Sequence, residues 1–225
     1  MGSPMIVFDF FAGTGSSTKA FEDAGDTVIK IELDSYFEAH ERDILTLTAD
    51  YLISTYGQPD FIWASPPCQK FSVASLWKYW EGTRGKSVPK HPAVYEAIAL
   101  VEHTIQLMND LKPTHGWIIE NPRGMLRHQD VVKPYNRQTV SYCQYGDTRM
   151  KPTDLWGTVK WSARPMCKPK ATCHESSPAG TNAGGTGKLK NARLRSMVPY
   201  ELSAEIRNAV LTCGYANGFD NDGTL

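Results

Sequence analysis

Cys68 closes the stretch Phe61-Ile62-Trp63-Ala64-Ser65-Pro66-Pro67, an apolar run that ends in two prolines. Proline has no N–H to give a sheet ladder and a fixed φ, so the pair stops the strand and holds the thiol past its carboxyl end in a stiff turn. Ligands of open parallel sheets bind at that edge. A thiol held there is placed for chemistry, and the thiolate is its nucleophilic form. Fifty-two positions later a second apolar run, His115-Gly116-Trp117-Ile118-Ile119, ends in Glu120-Asn121-Pro122. Between the two lies a helical pattern over 92–111, with Val94, Ile98, Val101, Ile105, Leu107 and Met108 on its core side and Lys112-Pro113 at its end. Strands joined by a helical crossover are parallel and close, so Cys68 and Glu120 are expected at one sheet edge.

The elements before them supply a binding site. Met5–Phe10 reads as a strand, Phe11-Ala12-Gly13-Thr14-Gly15 as a tight turn, and Thr18–Gly25 as a helix closed by Gly25. Strand, glycine turn and helix open a nucleotide-binding unit, in which backbone approaches the ligand closely. Thr27–Ile31 reads as the second strand, with Glu32 at its end, where a carboxylate accepts ribose hydroxyls. Thr18 stands where a dinucleotide fingerprint has its third glycine, which disfavours NAD. The pattern Phe-Ala-Gly-x-Gly followed by an acidic strand end resembles instead the S-adenosylmethionine site of a methyltransferase. Residues 34–41 read as a short helix and Asp43 as the end of a third strand, positioned to accept an adenine amino group. Leu47–Tyr56 reads as helical, which makes Phe61–Ala64 the fourth strand and Trp117–Ile119 the fifth.

Residues 69–92 form a long loop with basic and aromatic side chains interleaved, among them Lys70, Arg84, Lys86, Trp77 and Trp80, a composition suited to phosphate contact and base stacking. Gln138–Cys143 and Leu155–Val159 read as later strands. From 160 to 195 eight basic residues face only Glu175, and large aliphatics are few, which suggests an irregular lobe for nucleic acid. Pro199–Cys213 reads as a closing amphipathic helix, and 214–225 as a loose tail.

The 225 residues suit one domain with a small lobe, and no run of about 18 apolar residues exists to cross a membrane. Residues 1–60 carry eleven acidic against three basic side chains and the remainder thirteen against twenty-one, so one face is expected to meet a polyanion. Five cysteines without an export signal point to reduced thiols in the cytoplasm. Cys167, Cys173 and His174 could bind zinc with a further ligand such as Cys143, but their spacing lies outside the usual Cys-x2–4-Cys pattern, and the reading adopted is free thiols and no metal.

Together, Phe11–Gly15, Pro66-Pro67-Cys68-Gln69 and Glu120-Asn121-Pro122 resemble the DNA cytosine-5 methyltransferases, small phage-like members in particular. The resemblance implies an α/β fold with a doubly wound, mostly parallel, Rossmann-like sheet, the class I S-adenosylmethionine-dependent methyltransferase fold, with a small irregular C-terminal recognition lobe. The expected division is a cofactor-binding and catalytic domain over 5–156, a basic recognition lobe over 157–196, and a helix over 197–213 returning to the first. The resemblance implies Cys68 as nucleophile and Glu120 as the acid at the base's N3 edge. Arg149 or Lys151 would hold the base oxygen; the family's Gln-x-Arg-x-Arg pattern meets only Arg149-Met150-Lys151 here. The cofactor would touch Phe11, Ala12, Gly13, Thr14, Gly15, Glu32, Asp43, Pro66 and Arg195. DNA would touch Gln69, Lys70, Ser72, Arg84 and Lys86. The partner implied is double-stranded DNA containing cytosine, flipped out of the stack, and the enzyme a cytoplasmic monomer in a phage-infected or bacterial cell. Arg195, where the family has an asparagine, admits an alternative cofactor, carboxy-S-adenosyl-L-methionine, and an RNA substrate is the other alternative.

Overall fold

The computed structural model describes residues 3–82, 87–168, 171–175 and 191–213. Arg84, Lys86, the stretch 176–190 of the basic lobe and the tail 214–225 lie outside the described residues.

Six strands form the main sheet: β1 (Ile6–Phe10), β2 (Thr27–Ile31), β3 (Phe61–Ala64), β6 (Trp117–Pro122), β7 (Asn136–Ser141) and β8 (Pro152–Gly157). Their order is β2-β1-β3-β6-β8-β7. The first four run parallel, while β8 is antiparallel to both β6 and β7. Alternation along the strands sorts side chains to two faces. Phe8, Phe10, Ile62, Ala64, Trp117 and Ile119 pack on one face with α2 (Ala49–Tyr56) and α4 (Ala93–Leu111). Val7, Phe61, Trp63 and Ile118 pack on the other with α1 (Lys19–Asp23) and α6 (Tyr200–Cys213). The near-continuous apolar runs of β1 and β3 follow from burial on both faces. This is a doubly wound, mostly parallel, Rossmann-like sheet with an antiparallel hairpin added at one edge. Among the described residues no helix is long and apolar enough to cross a membrane.

The crossover α4 joins β3 to β6 as its 3.6-residue periodicity requires, and Ala64 pairs with Ile119 across the two strands. Two local expectations are corrected. Residues 34–41 form turns, not a helix. The Arg42 guanidinium takes the carbonyls of Glu32 and Phe37 at 3.2 and 2.9 Å, and the Asp34 carboxylate accepts from the Tyr36 N–H, so this backbone is satisfied by side chains instead of a helical ladder. Asp43 ends no strand; beyond an isolated Ile31–Glu41 bridge, it caps a single 3-10 turn, Ile44–Thr46, accepting from the Leu45 N–H at 3.0 Å. The 69–92 loop is partly ordered by a short helix, α3 (Leu76–Tyr79), and a hairpin of β4 (Trp80–Glu81) with β5 (Val88–Pro89).

Asp9 in β1 is fully buried and accepts from the hydroxyls of Ser17 and Thr18, at 3.0 and 2.7 Å, which fastens the turn after β1 back onto the strand. Burial outweighs these hydrogen bonds and raises its carboxyl from 3.8 to about 7. Between those values the native state holds a proton that the unfolded chain has lost, so stability falls as pH rises through this window and levels off above it. Urea unfolding at several pH values from 5 to 8 should show Asp9→Asn with a flatter profile than the unaltered protein, by up to about 1.4 kcal/mol per pH unit below pH 7. Parallel profiles for the two proteins would mean that Asp9 stays ionised throughout.

Candidate active site

At the carboxyl edge of β1, β2, β3 and β6 lies one large cleft of about 1770 Å³. One end is walled by the turn after β1. Phe11 and Ala12 donate their N–H groups to the Ile31 carbonyl at 2.9 and 3.2 Å, which hangs the turn on β2. Phe11, Gly13 and Gly15 all take positive φ, +60°, +50° and +69°, the bend that brings the chain back toward helix α1. Only glycine adopts such angles freely, which accounts for Gly13 and Gly15. Glu32 Oε2 accepts from the Gly13 N–H at 2.8 Å and Oε1 from the Asp34 N–H at 2.8 Å, so its carboxylate is aimed across the turn. Phe11, Ala12, Gly13, Thr14, Glu32 and Asp43 all line this end of the cleft. Gly15 does not; its N–H returns to the Ala12 carbonyl at 2.7 Å and its part is to shape the turn. Two carboxylates, a bare backbone turn and the Phe11 ring make a donor set that fits an adenosine carrying hydroxyls and an amine.

The other end is built by β3 and β6. Past Ala64 the Ser65 N–H still pairs with the Phe10 carbonyl at 2.9 Å, after which Pro66 and Pro67 release the chain from the sheet. The Cys68 carbonyl accepts from the N–H groups of Phe71 and Ser72 at 3.0 and 2.9 Å, a tight turn that leaves the thiol half-buried on the cleft wall. Asn121 Nδ2 donates to the Pro66 carbonyl at 2.9 Å, so β6 itself holds the proline turn in place. Glu120 is buried; its Oε1 accepts from the Tyr142 hydroxyl at 2.8 Å and lies 3.9 Å from Lys151 Nζ. Lys151 is buried too, with its ammonium 4.5 Å from the centre of the Tyr142 ring. Cys68, Glu120 and Lys151 therefore converge on one cavity, with Pro66, Gln69 and Arg195 around them.

The electrostatics suit acid and nucleophile in one pocket. Burial raises the Glu120 carboxyl, partly offset by Lys151 and by the Tyr142 hydrogen bond. Burial, and then the charge of Glu120, raise the Cys68 thiol, while Lys151 and Arg195 draw it down. Burial lowers Lys151 against the pull of Glu120. A carboxyl that keeps its proton to higher pH can give it to a base, and a thiol with two cations in reach can lose its own as substrate enters.

Arg149 stands elsewhere. Its guanidinium pairs with the Asp147 carboxylate and donates to the carbonyls of Leu194, Arg195 and Met197 at 2.9, 3.1 and 3.2 Å. It pins the segment ahead of α6 and is absent from the cleft wall. Of the two basic candidates, the structure brings Lys151 to Glu120. Lys70 likewise turns inward, its ammonium 3.1 Å from the Tyr79 hydroxyl, with the Trp80 indole donating to its carbonyl at 2.7 Å. Gln69 and Ser72 are on the cleft rim. Tyr142 was invisible to sequence reasoning, since a tyrosine after a strand reads as core. The pair of Arg127 with Asp154, at 2.6 and 2.9 Å, was equally unmarked; the carboxylate is buried in β8 and the guanidinium is half-buried on the cleft wall.

A family model described as "C-5 cytosine-specific DNA methylase" matches residues 5–140. The "Probable DNA (cytosine-5)-methyltransferase" of Frog virus 3 (isolate Goorha) is 28% identical over 217 residues, covering 90% of this chain and 98% of the viral protein. Among solved structures, the Entamoeba histolytica methyltransferase EhMeth aligns with a TM-score of 0.49 and 13% identity, over 69% of this chain and 53% of that one. The Dnmt2 methyltransferase of S. pombe aligns at 0.48 and 16%, over 71% and 52%. The chain spans about half the length of these two structures.

The Tyr142 hydroxyl favours the ionised form of Glu120, so its loss should raise that carboxyl further. In Tyr142→Phe, carboxyl-carbon NMR of labelled glutamate should find Glu120 titrating at higher pH than in the unaltered protein. An unmoved titration would show that the hydrogen bond does not govern the acid.

Proposed function

The chain belongs to the C-5 cytosine-specific DNA methylase family, and from that premise we propose that it methylates carbon 5 of cytosine in double-stranded DNA, acting as a monomer, with Cys68 as nucleophile. The observation that carries the reading is the convergence of Cys68, Glu120 and Lys151 on the cleft that also holds the Phe11–Gly15 turn. Carbon 5 of cytosine is a weak nucleophile. As the Cys68 thiolate bonds to carbon 6, the ring's electrons move toward carbon 5, and Glu120 gives its proton to N3. Lys151, held beside Glu120, stabilises the charge that develops on the base's carbonyl oxygen O2. S-adenosyl-L-methionine would be held by Phe11–Thr14, Glu32, Asp43 and Pro66 and would supply an electrophilic methyl carbon, its sulfonium leaving as a neutral thioether. With the methyl on carbon 5, the carbon 5 proton passes to water, the N3 proton returns to Glu120 and the Cys68 thiolate departs, which restores the aromatic ring. The reacting atoms lie inside the cleft, so the base must leave the duplex stack. Gln69 and Ser72 sit where DNA would pass, and Trp77, 77% exposed on α3, offers a stacking face beside them.

A second reading concerns the group delivered. Arg195 lines the same cleft, and its charge is felt at Cys68. A cation beside a sulfonium calls for an anion between them, which the methionine carboxylate supplies, or which a carboxyl on the transferred group supplies, as in carboxy-S-adenosyl-L-methionine. Comparing transfer from both cofactors by the protein and by Arg195→Asn separates these: a preference for the carboxylated cofactor that collapses in the variant supports carboxymethyl transfer, and a preference indifferent to the variant removes it.

Fluorine at carbon 5 cannot leave as the proton does, so DNA containing 5-fluorocytosine should trap the protein as a covalent adduct at Cys68, and Cys68→Ser should give none. Glu120→Gln should lower methyl transfer roughly 100- to 10 000-fold. Lys151→Met should lower the rate of transfer, whereas Arg149→Met should lower thermal stability. Failure of the intact protein to form an adduct on any DNA or RNA would overturn the assignment, and trapping on RNA alone would move it to an RNA substrate.

A further inference from the structure

Away from the cleft, the described residues contain a second gathering of groups with ligand chemistry. Cys143, Cys167, Cys173 and His174 each offer one donor atom, and all four atoms lie within 4.8 Å of one another. Cys143 belongs to the 3-10 turn Tyr142–Tyr145 that follows β7. The other three lie at least 24 residues further on, Cys167 in one described stretch and Cys173 and His174 in the next. Cys167 Sγ lies 3.2 Å from Cys173 Sγ and 3.3 Å from His174 Nδ1; Cys173 Sγ lies 3.7 Å from His174 Nδ1 and 3.8 Å from Cys143 Sγ. A tetrahedral zinc ion has ligands at about 2.3 Å for sulfur and about 2.0 Å for nitrogen, which sets sulfur–sulfur edges near ~3.8 Å and sulfur–nitrogen edges near ~3.5 Å. The observed separations straddle those edges. The sulfurs are too far apart for a disulfide, whose bond is about 2.05 Å.

Packing gives no other reason for the convergence. The apolar cluster here consists of Cys143, Met150 and Cys167 with Ala171 against it, far too little to order a segment by burial. The frame around the four groups is nevertheless well tied. The Cys167 N–H donates to Ser141 Oγ at 3.2 Å, and the Glu175 N–H donates to the Thr148 carbonyl at 2.9 Å, one anchor on each side of the ligands. Gln144 Nε2 lies 3.3 Å from Cys173 Sγ and 3.9 Å from Cys143 Sγ, where an amide donor supports thiolates that carry a metal.

We propose that Cys143, Cys167, Cys173 and His174 bind one zinc ion as a structural, four-coordinate site. The three thiols give up their protons to solvent and the imidazole binds neutral, through Nδ1, leaving no open position for a substrate. The ion staples 167–175 to the turn that begins with Tyr142, whose hydroxyl holds Glu120. It thereby supplies, in a stretch poor in aliphatic side chains, the cohesion that a core supplies elsewhere. The site is independent of the proposed methyl transfer and stands or falls without it.

The test uses the full chain, purified without chelator or histidine tag. Elemental analysis should find one zinc per chain, reduced to background in Cys173→Ser and in His174→Ala. Because loss of the metal in those variants also removes its hold on the fold, a second measurement is made on the unaltered protein. Exchange into cobalt(II) should produce the intense visible bands of a tetrahedral thiolate site, and chelation should erase them while making three thiols reactive together. Background zinc with no such cobalt spectrum would overturn the proposal, as would a Cys167–Cys173 disulfide in the freshly purified protein.

Discussion

Everything in this active site depends on the parallel pairing of β3 with β6. The register Ala64–Ile119 decides that the residue after the second proline and the residue after Ile119 stand at the same height on the sheet's edge. Neither has chemistry alone: a thiol in that turn would be one more half-buried cysteine, and a carboxyl in the centre of β6 would be a costly buried acid. The pairing makes them partners, and the Asn121 amide bonded to the Pro66 carbonyl locks the two strand ends together beyond the last ladder bond. Asn121 Oδ1 is buried and has no hydrogen-bond partner among the described residues.

Much of this was legible beforehand because it rests on short-range rules. Two prolines stop a strand, glycines at positive φ make a turn, and a 19-residue amphipathic helix between two apolar runs makes them parallel neighbours. What stayed hidden was set by contacts across the chain. Residues 34–41 carry helix-compatible side chains, and only the reach of Arg42 back to the carbonyls of Glu32 and Phe37 turns them into a coil around a guanidinium. Lys151 and Arg149 are two residues apart and indistinguishable by type. The hairpin of β7 and β8 places one beside Glu120, while Asp147 and three carbonyls claim the other. The four groups of the thiol cluster come from the connection between β7 and β8 and from residues beyond β8, and no spacing rule along one segment can see them together.

The antiparallel hairpin thus has two faces of work. Toward the cleft it brings Lys151 and Tyr142 to the buried acid; away from it, the same turn carries Cys143 into the thiol cluster. Arg149 sits between, tethering the carbonyls of residues 194–197. Segments widely separated in the chain are thereby referred to one edge of the sheet.

Helix α6 has a consequence of another kind. It is fastened to the beginning of the chain: Ser203 bridges the Ala20 N–H and the Ser17 carbonyl, and Arg207 pairs with Asp26 at 2.7 Å, across more than 180 positions. Its Leu202, Ile206 and Val210 cover the face that Val7, Phe21, Phe61 and Trp63 present. As the chain emerges from a ribosome, the first strands are made early, yet half of their apolar surface has no cover until residues 200–213 follow. Closure of this face therefore waits on a long-range contact made about 180 positions after the first strands.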